Sequence, residues 1–251
     1  PTRRVGDGRK ELLCQRQVAL ALVVVAEEIE ADRAGLDTGF TSDDGSGVVV
    51  LLETARALLA GPPLARPVWL LFTDGEEMGL LGAEAFVRGP HLAEVGVVLN
   101  AEALGASGLA WMFETGEANR ELAALLGRHA RRPVASSLAV EVYRRMPNNT
   151  DFSVFRRAGL TGLNFAFVGE PLVYHTPLDT AARCARGSLQ HEGDQLLALT
   201  RALAAAPALP VAPGRAVFFD LAGFLLIRWP ESWSLPLALA ALLLLGGQAV
   251  V

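Results

Sequence analysis

Cysteine is nearly absent from the 251 residues: only Cys14 and Cys184 occur. Two distant thiols supply neither a disulfide framework nor a cysteine-type zinc site. Lysine is scarcer still. Lys10 stands alone against 21 arginines, a bias that reads as codon usage in a GC-rich genome. There is no basic tract and the formal net charge is −5, which argues against a nucleic-acid partner. Histidine is sparse, and none precedes His91. Residues 1–17 are polar and Arg-rich, so no signal peptide is visible there.

Apolar residues are plentiful, at 51% against 20% charged. That suffices for one sizeable α/β domain with an appendage, and it argues against disorder. Val18–Ala26 is a continuous apolar run and reads as a buried strand. The polar turn Thr41-Ser42-Asp43-Asp44-Gly45-Ser46-Gly47 follows an acidic stretch, and a helical pattern runs from Val48 to Ala60. Gly61-Pro62-Pro63 stops it. Pro67–Phe72 reads as a strand, Thr73-Asp74-Gly75-Glu76-Glu77 as a turn, and Met78–Phe86 as a helix. Further strands are expected at Val95–Leu99, Leu109–Phe113 and Leu163–Val168, and helices at Glu117–Ala130, Phe152–Arg157 and Ser188–Ala205.

Residues 207–217 are rich in Pro and Ala and read as a linker between a domain over 1–206 and a membrane-associated segment over 218–251. Phe218–Trp229 contains Asp220 and Arg228, which favours an interfacial stretch over a spanning one. Ser234–Val251 carries no charge. Eighteen helical residues would extend roughly 27 Å, close to the ~30 Å hydrocarbon core, so a membrane helix is expected there.

Asp43, Glu76, Glu77, Glu102 and His175 all fall in predicted loops at strand ends. In an open, mostly parallel sheet such loops converge on one edge. Adjacent carboxylates such as Glu76 and Glu77 point different ways, so one can hold a metal while the other moves a proton. A cluster of Asp, Glu and His without Cys suits Zn²⁺ or another borderline divalent ion. His91, His129 and His191 read as surface histidines.

The segments Ser42-Asp43-Asp44-Gly45-Ser46-Gly47, Thr73-Asp74-Gly75-Glu76-Glu77, Asn100-Ala101-Glu102 and Tyr174-His175-Thr176, in this order, resemble metallopeptidase family 28. These are co-catalytic dizinc aminopeptidases and carboxypeptidases. The likeness is greatest to the membrane-bound vacuolar and endoplasmic-reticulum branch, and it runs from about Gly39 to Ala204. It implies an α/β fold with a mixed, mainly parallel sheet between helices. It implies that Asp43 bridges two zincs through a cis Asp43–Asp44 segment and that Glu76 is the general base. Glu77 and His175 would hold one zinc and Glu102 the other. Asp44, Asp151 and Tyr174 would lie in or behind the pocket. The substrate would be a peptide, and the domain would sit at a membrane on its lumenal or extracytoplasmic side.

One part of the family pattern is missing. A His-x-Asp motif is expected after the strand that precedes the bridging Asp, its His ligating the Glu102-side zinc. Here Glu27-Glu28-Ile29-Glu30 follows that strand. A deletion, a frameshift between about Cys14 and Asp37, or divergence would each produce this. Three functional readings follow: an exopeptidase with one or two zincs and impaired turnover, a membrane-attached remnant without turnover, or a one-zinc enzyme like the glutaminyl cyclases. The oligomeric state is left open.

Overall fold

The computed structural model describes residues 19–25 and 42–248. The expectations for residues 1–17 and for Glu27–Asp37 therefore lie outside the described residues. The apolar runs become strands. β1 is Ala19–Val25, β2 Val68–Thr73, β3 Val95–Ala103, β4 Ser107–Thr115 and β5 Thr161–Gly169. They form one sheet in the order β2-β1-β3-β5-β4. The pairs β1–β2, β1–β3 and β3–β5 are parallel, and β4 runs antiparallel to β5. The sheet is thus mixed and mainly parallel, as expected.

β3 is buried along its whole length, which is why its sequence is almost entirely apolar. Its side chains alternate between two cores. Val97, Leu99 and Ala101 face the larger core, which also takes residues from α1 (Gly45–Leu59), α3 (Arg120–His129) and α6 (Arg186–Ala205). Val98 faces the other core, with Ala83 of α2 (Leu81–Arg88) and with Phe152 and Phe155 of α5 (Asp151–Arg157). Helices therefore cover both faces. α4 (Ser137–Tyr143) went unforeseen; Ser136 caps it by accepting from the Leu138 N–H.

Two expectations need correcting. The helix expected from Met78 begins only at Leu81, because Gly79 and Leu80 have φ of 107° and 61°, a left-handed backbone that a right-handed helix cannot include. His191 is not a surface residue: it is 8% exposed, accepts from the Ala110 N–H at 3.0 Å through Nδ1 and meets the Arg132 carbonyl at 2.9 Å through Nε2. Residues 216–230, the end of the expected linker and the expected interfacial stretch, form a hairpin, β6 (Ala216–Leu221) with β7 (Leu225–Pro230). Its Ala216, Phe218 and Leu226 enter the larger core. Asp220 does not keep it out of the protein, because its carboxylate accepts from the Ala135 and Gly223 backbone N–H groups.

The uncharged C-terminal run is helical over Ser234–Gln248, here α7. No helix among the described residues is long and apolar enough to cross a membrane. The 15 described residues of α7 reach roughly 22 Å against the ~30 Å needed, and residues 249–251 lie outside the description. Leu235, Leu239, Leu242, Leu243, Leu244 and Leu245 of α7 are exposed.

Candidate metal centre

The carboxyl ends of the parallel strands carry the acidic and histidine residues. Glu76 and Glu77 lie in the turn after β2, a turn closed by the Gly79 and Leu80 N–H groups donating to the Glu76 carbonyl. Glu102 is on β3, inside the strand near its end rather than beyond it. His175 is in the loop after β5, beyond a short 3-10 turn at Pro171–Val173. Asp43 precedes α1, and Asp44 caps that helix by accepting from the Gly47 N–H at 3.2 Å. The Asp43–Asp44 peptide is cis.

Three of the candidate ligands meet. His175 Nε2 is 2.6 Å from Glu77 Oε1 and 3.0 Å from Asp43 Oδ2. One donor atom from each residue lies within 4.8 Å of the others. Zinc–oxygen and zinc–nitrogen bonds of ~2.0–2.2 Å place donors in a tetrahedral site roughly 3–3.5 Å apart, so a small divalent ion fits this set with little movement. One imidazole and two carboxylates leave a fourth position open, and the side chains of His175 and Glu77 are 39% and 48% exposed. Tyr174 stacks on His175 with ring centroids 3.8 Å apart, which fixes the plane of the imidazole. His175 itself has φ 55°, the left-handed region, where a non-glycine residue is held only by its surroundings. The turn around it supplies that hold through Thr176 N–H to the Val173 carbonyl and Asp179 N–H to the Thr176 carbonyl.

Glu102 is not part of this donor group. It faces the sheet side that carries α5, with Asn100 donating to its Oε1 at 2.6 Å. Burial raises its carboxyl well above the usual range, and the charges of Glu76, Asp151 and Asp43 add to the effect. Asp44 behaves likewise: burial comes first, then Glu102, Asp43 and Glu192. Asp43 is raised mainly by burial, and His175 opposes the shift. Asp151 is pushed up to about 6 by burial, although Thr73 Oγ1 donates to it. Asp43, Asp44, Glu76, Glu77, Glu102 and Asp151 thus crowd one sheet edge at an electrostatic cost that a divalent cation would relieve.

Sequence reasoning missed the residues behind the site. Asp179, 1% exposed, accepts from the Ser42 N–H at 3.0 Å and the Asp43 N–H at 3.2 Å. It ties the loop of His175 to the loop of Asp43. Its place four residues after His175, in a loop already singled out, was the available signal. Asn100 continues a buried polar row: it donates to Asn164 Oδ1 at 3.0 Å, and Asn164 donates to Glu114 at 3.2 Å. Glu114 is paired with Arg156 at 3.2 Å. These partners sit on three strands and a helix, so no local pattern marks them. Glu192 of α6 is fully buried, and its carboxyl is raised well above its usual range by that burial.

The profile of Peptidase family M28 matches residues 32–200, well over half of the chain. The chain belongs to this family. Within peptidase family M28, the chain is similar to endoplasmic reticulum metallopeptidase 1 of Rattus norvegicus, at 35% identity over 199 residues, covering 76% of this chain and 22% of that protein. It is also similar to the vacuolar membrane protease of Yarrowia lipolytica, at 34% over 197 residues, covering 75% and 19%. The chain therefore spans about a fifth of the length of these relatives. The fold is that of a zinc aminopeptidase from Bacillus subtilis, with a TM-score of 0.56 at 20% identity over 79% of this chain and 49% of that one. A glutaminyl cyclase from Fimbriiglobus ruber shares it too, with a TM-score of 0.54 at 16% identity over 74% and 72%.

Proposed function

We propose that this M28 chain is a zinc-dependent exopeptidase that cleaves the residue at a peptide's N-terminus. The meeting of Asp43, Glu77 and His175 on one point of an M28 domain carries the reading. Zinc held by these three residues would supply Lewis acidity and a water made acidic enough to ionise near neutral pH. Glu76 neighbours the ligand Glu77 in the same turn, and we assign it as the base that takes the proton from the attacking water. Tyr174 holds the imidazole plane, and Asp179 holds the Asp43 loop. Asp44 and Asp151 serve behind the ligands, in positioning and in the charge balance of the pocket.

The second zinc position would keep only Asp43 and Glu102. Between β1 and Asp43 the sequence has no histidine to complete it. We therefore assign about one tightly held zinc per chain and slower turnover than a two-metal site gives. Metal analysis of the purified, dialysed protein tests this beside turnover of an N-terminal-residue substrate. One zinc, with slow cleavage that is lost in Glu76→Gln, is the expected result. Two zincs with rapid cleavage would overturn the impairment, and no zinc would favour a non-catalytic remnant. The complete Asp-Glu-His set also favours a second reading, a one-zinc cyclase of N-terminal glutamine. A peptide beginning with Gln separates the two: ring closure without hydrolysis would select the cyclase.

Association with a membrane belongs to the same proposal. The relatives' names and the exposed leucines of α7 support it, with the peptidase domain on the lumenal or extracytoplasmic side. Detergent-free extraction as a monomeric soluble protein would count against it.

A further inference from the structure

The outer face of the β6–β7 hairpin is wholly apolar, whereas Asp220 and Arg228 share the inner face with Phe218 and Leu226. Directly opposed residues of an antiparallel pair share a face, and alternate residues along a strand switch faces. The pairs Val217↔Trp229, Phe219↔Ile227 and Leu221↔Leu225 thus lie on one side. The buried Phe218 and Leu226 lie on the other, in the core. The outer side is open toward the tip, where Leu221 and Leu225 are 55% and 54% exposed and Phe224 is 81% exposed, while Val217, Ile227 and Trp229 are half-buried. A hairpin that only completed the core would carry polar residues outward. Trp233 and the exposed leucines of α7 follow directly after β7.

The tip also has basic neighbours. Phe224, Arg131 and Arg132 line one cavity of about 540 Å³ together with Asp194 of α6; both arginines are exposed, and the charged side chains of the rim sum to a net positive charge. An exposed aromatic residue beside exposed arginines suits a bilayer boundary, with the ring among the acyl chains and the guanidinium groups on headgroup phosphates. A protein partner would need a complementary shape, whereas a lipid surface needs only an apolar face rimmed by positive charge.

We propose that the outer face of the β6–β7 hairpin, with Phe224 at its tip and Arg131 and Arg132 beside it, is the surface that lies against an anionic bilayer. This rests on the membrane reading above and adds to it a fixed orientation of the peptidase domain.

The test uses the full chain and vesicles of phosphatidylcholine with phosphatidylglycerol. An environment-sensitive fluorophore is placed at Phe224→Cys or, as a control, at Leu59→Cys at the end of α1, both in a Cys14→Ser, Cys184→Ala background. The label at position 224 should shift to the blue and be quenched by a lipid-borne quencher. The label at position 59 should do neither. Arg131→Glu with Arg132→Glu should weaken binding to these vesicles about tenfold and leave binding to pure phosphatidylcholine unchanged. If the chain binds but the label at 224 stays in water, or the arginine variant binds equally well, the hairpin surface is overturned and the membrane reading stands. If the full chain binds no vesicle, both are overturned.

Discussion

Asp43 is held from behind by Asp179 and faced in front by His175. Those two contacts predict different losses. Asp179→Asn keeps the shape and removes the charge that accepts the Ser42 and Asp43 N–H groups. Zinc affinity should fall roughly 10–100-fold, as is usual when a ligand's support is lost, and competition with a chelator measures it. An unchanged affinity would show that the Asp43 loop holds itself. Glu76→Gln should instead leave zinc content intact and lower kcat by roughly 10²–10⁴, the range for removal of a general base. A third prediction concerns Asp151, whose folded carboxyl lies at about 6 against an ordinary 3.8. The folded chain binds that proton more tightly than the unfolded chain does. Its contribution is complete below about pH 4 and is lost as the pH rises through about 6. The metal-free protein should therefore lose up to roughly 3 kcal/mol over that interval from this one group. Urea unfolding of chelated protein at the two ends checks it, and Asp151→Asn should flatten the dependence.

At the level of elements, each strand of the main sheet was legible as a short apolar run, and for β3 and β5 the reason is that a strand buried on both faces has few polar positions. The β2–α2 turn was legible as a turn but not in its length. Leu80 in a left-handed conformation leaves no compositional trace, since only glycine advertises that backbone. The hairpin was harder. Asp220 and Arg228 look like polar intrusions in sequence, and one of the two backbone groups that satisfy Asp220 lies 85 residues away at Ala135. Leu226 is the residue that commits the hairpin to the core, 5% exposed and set against Gly127 of α3. Leu226→Ala should cost about 2–5 kcal/mol, as buried leucines do. A shift in the urea midpoint at constant slope would show it. No shift would mean that the hairpin is an appendage after all.

For the whole molecule, zinc binding at the proposed site should be linked to folding, because the three candidate donors come from loops far apart in the chain and meet only when it is folded. Zinc at about 100 times its dissociation constant should stabilise the chain by ~2.7 kcal/mol, a rise in Tm of roughly 5–10 °C for a domain of this size. His175→Ala should abolish the rise, and Glu76→Gln should retain it. Thermal unfolding with and without zinc, after chelation, decides this.

The sequence by itself determined the layered α/β class, the strand ends that carry chemistry and the identities of the candidate ligands, because burial periodicity and ligand chemistry are local properties. Only the tertiary structure decided which of them meet. It set Asp43, Glu77 and His175 together and left Glu102 on the α5 side of β3. It recruited Asp179 as the support of Asp43, drew His191 into the interior, and seated one face of the β6–β7 hairpin in the core. Each of these depends on which strand lies beside which and on which face a side chain emerges from, and pairing between distant segments is not written in any one of them.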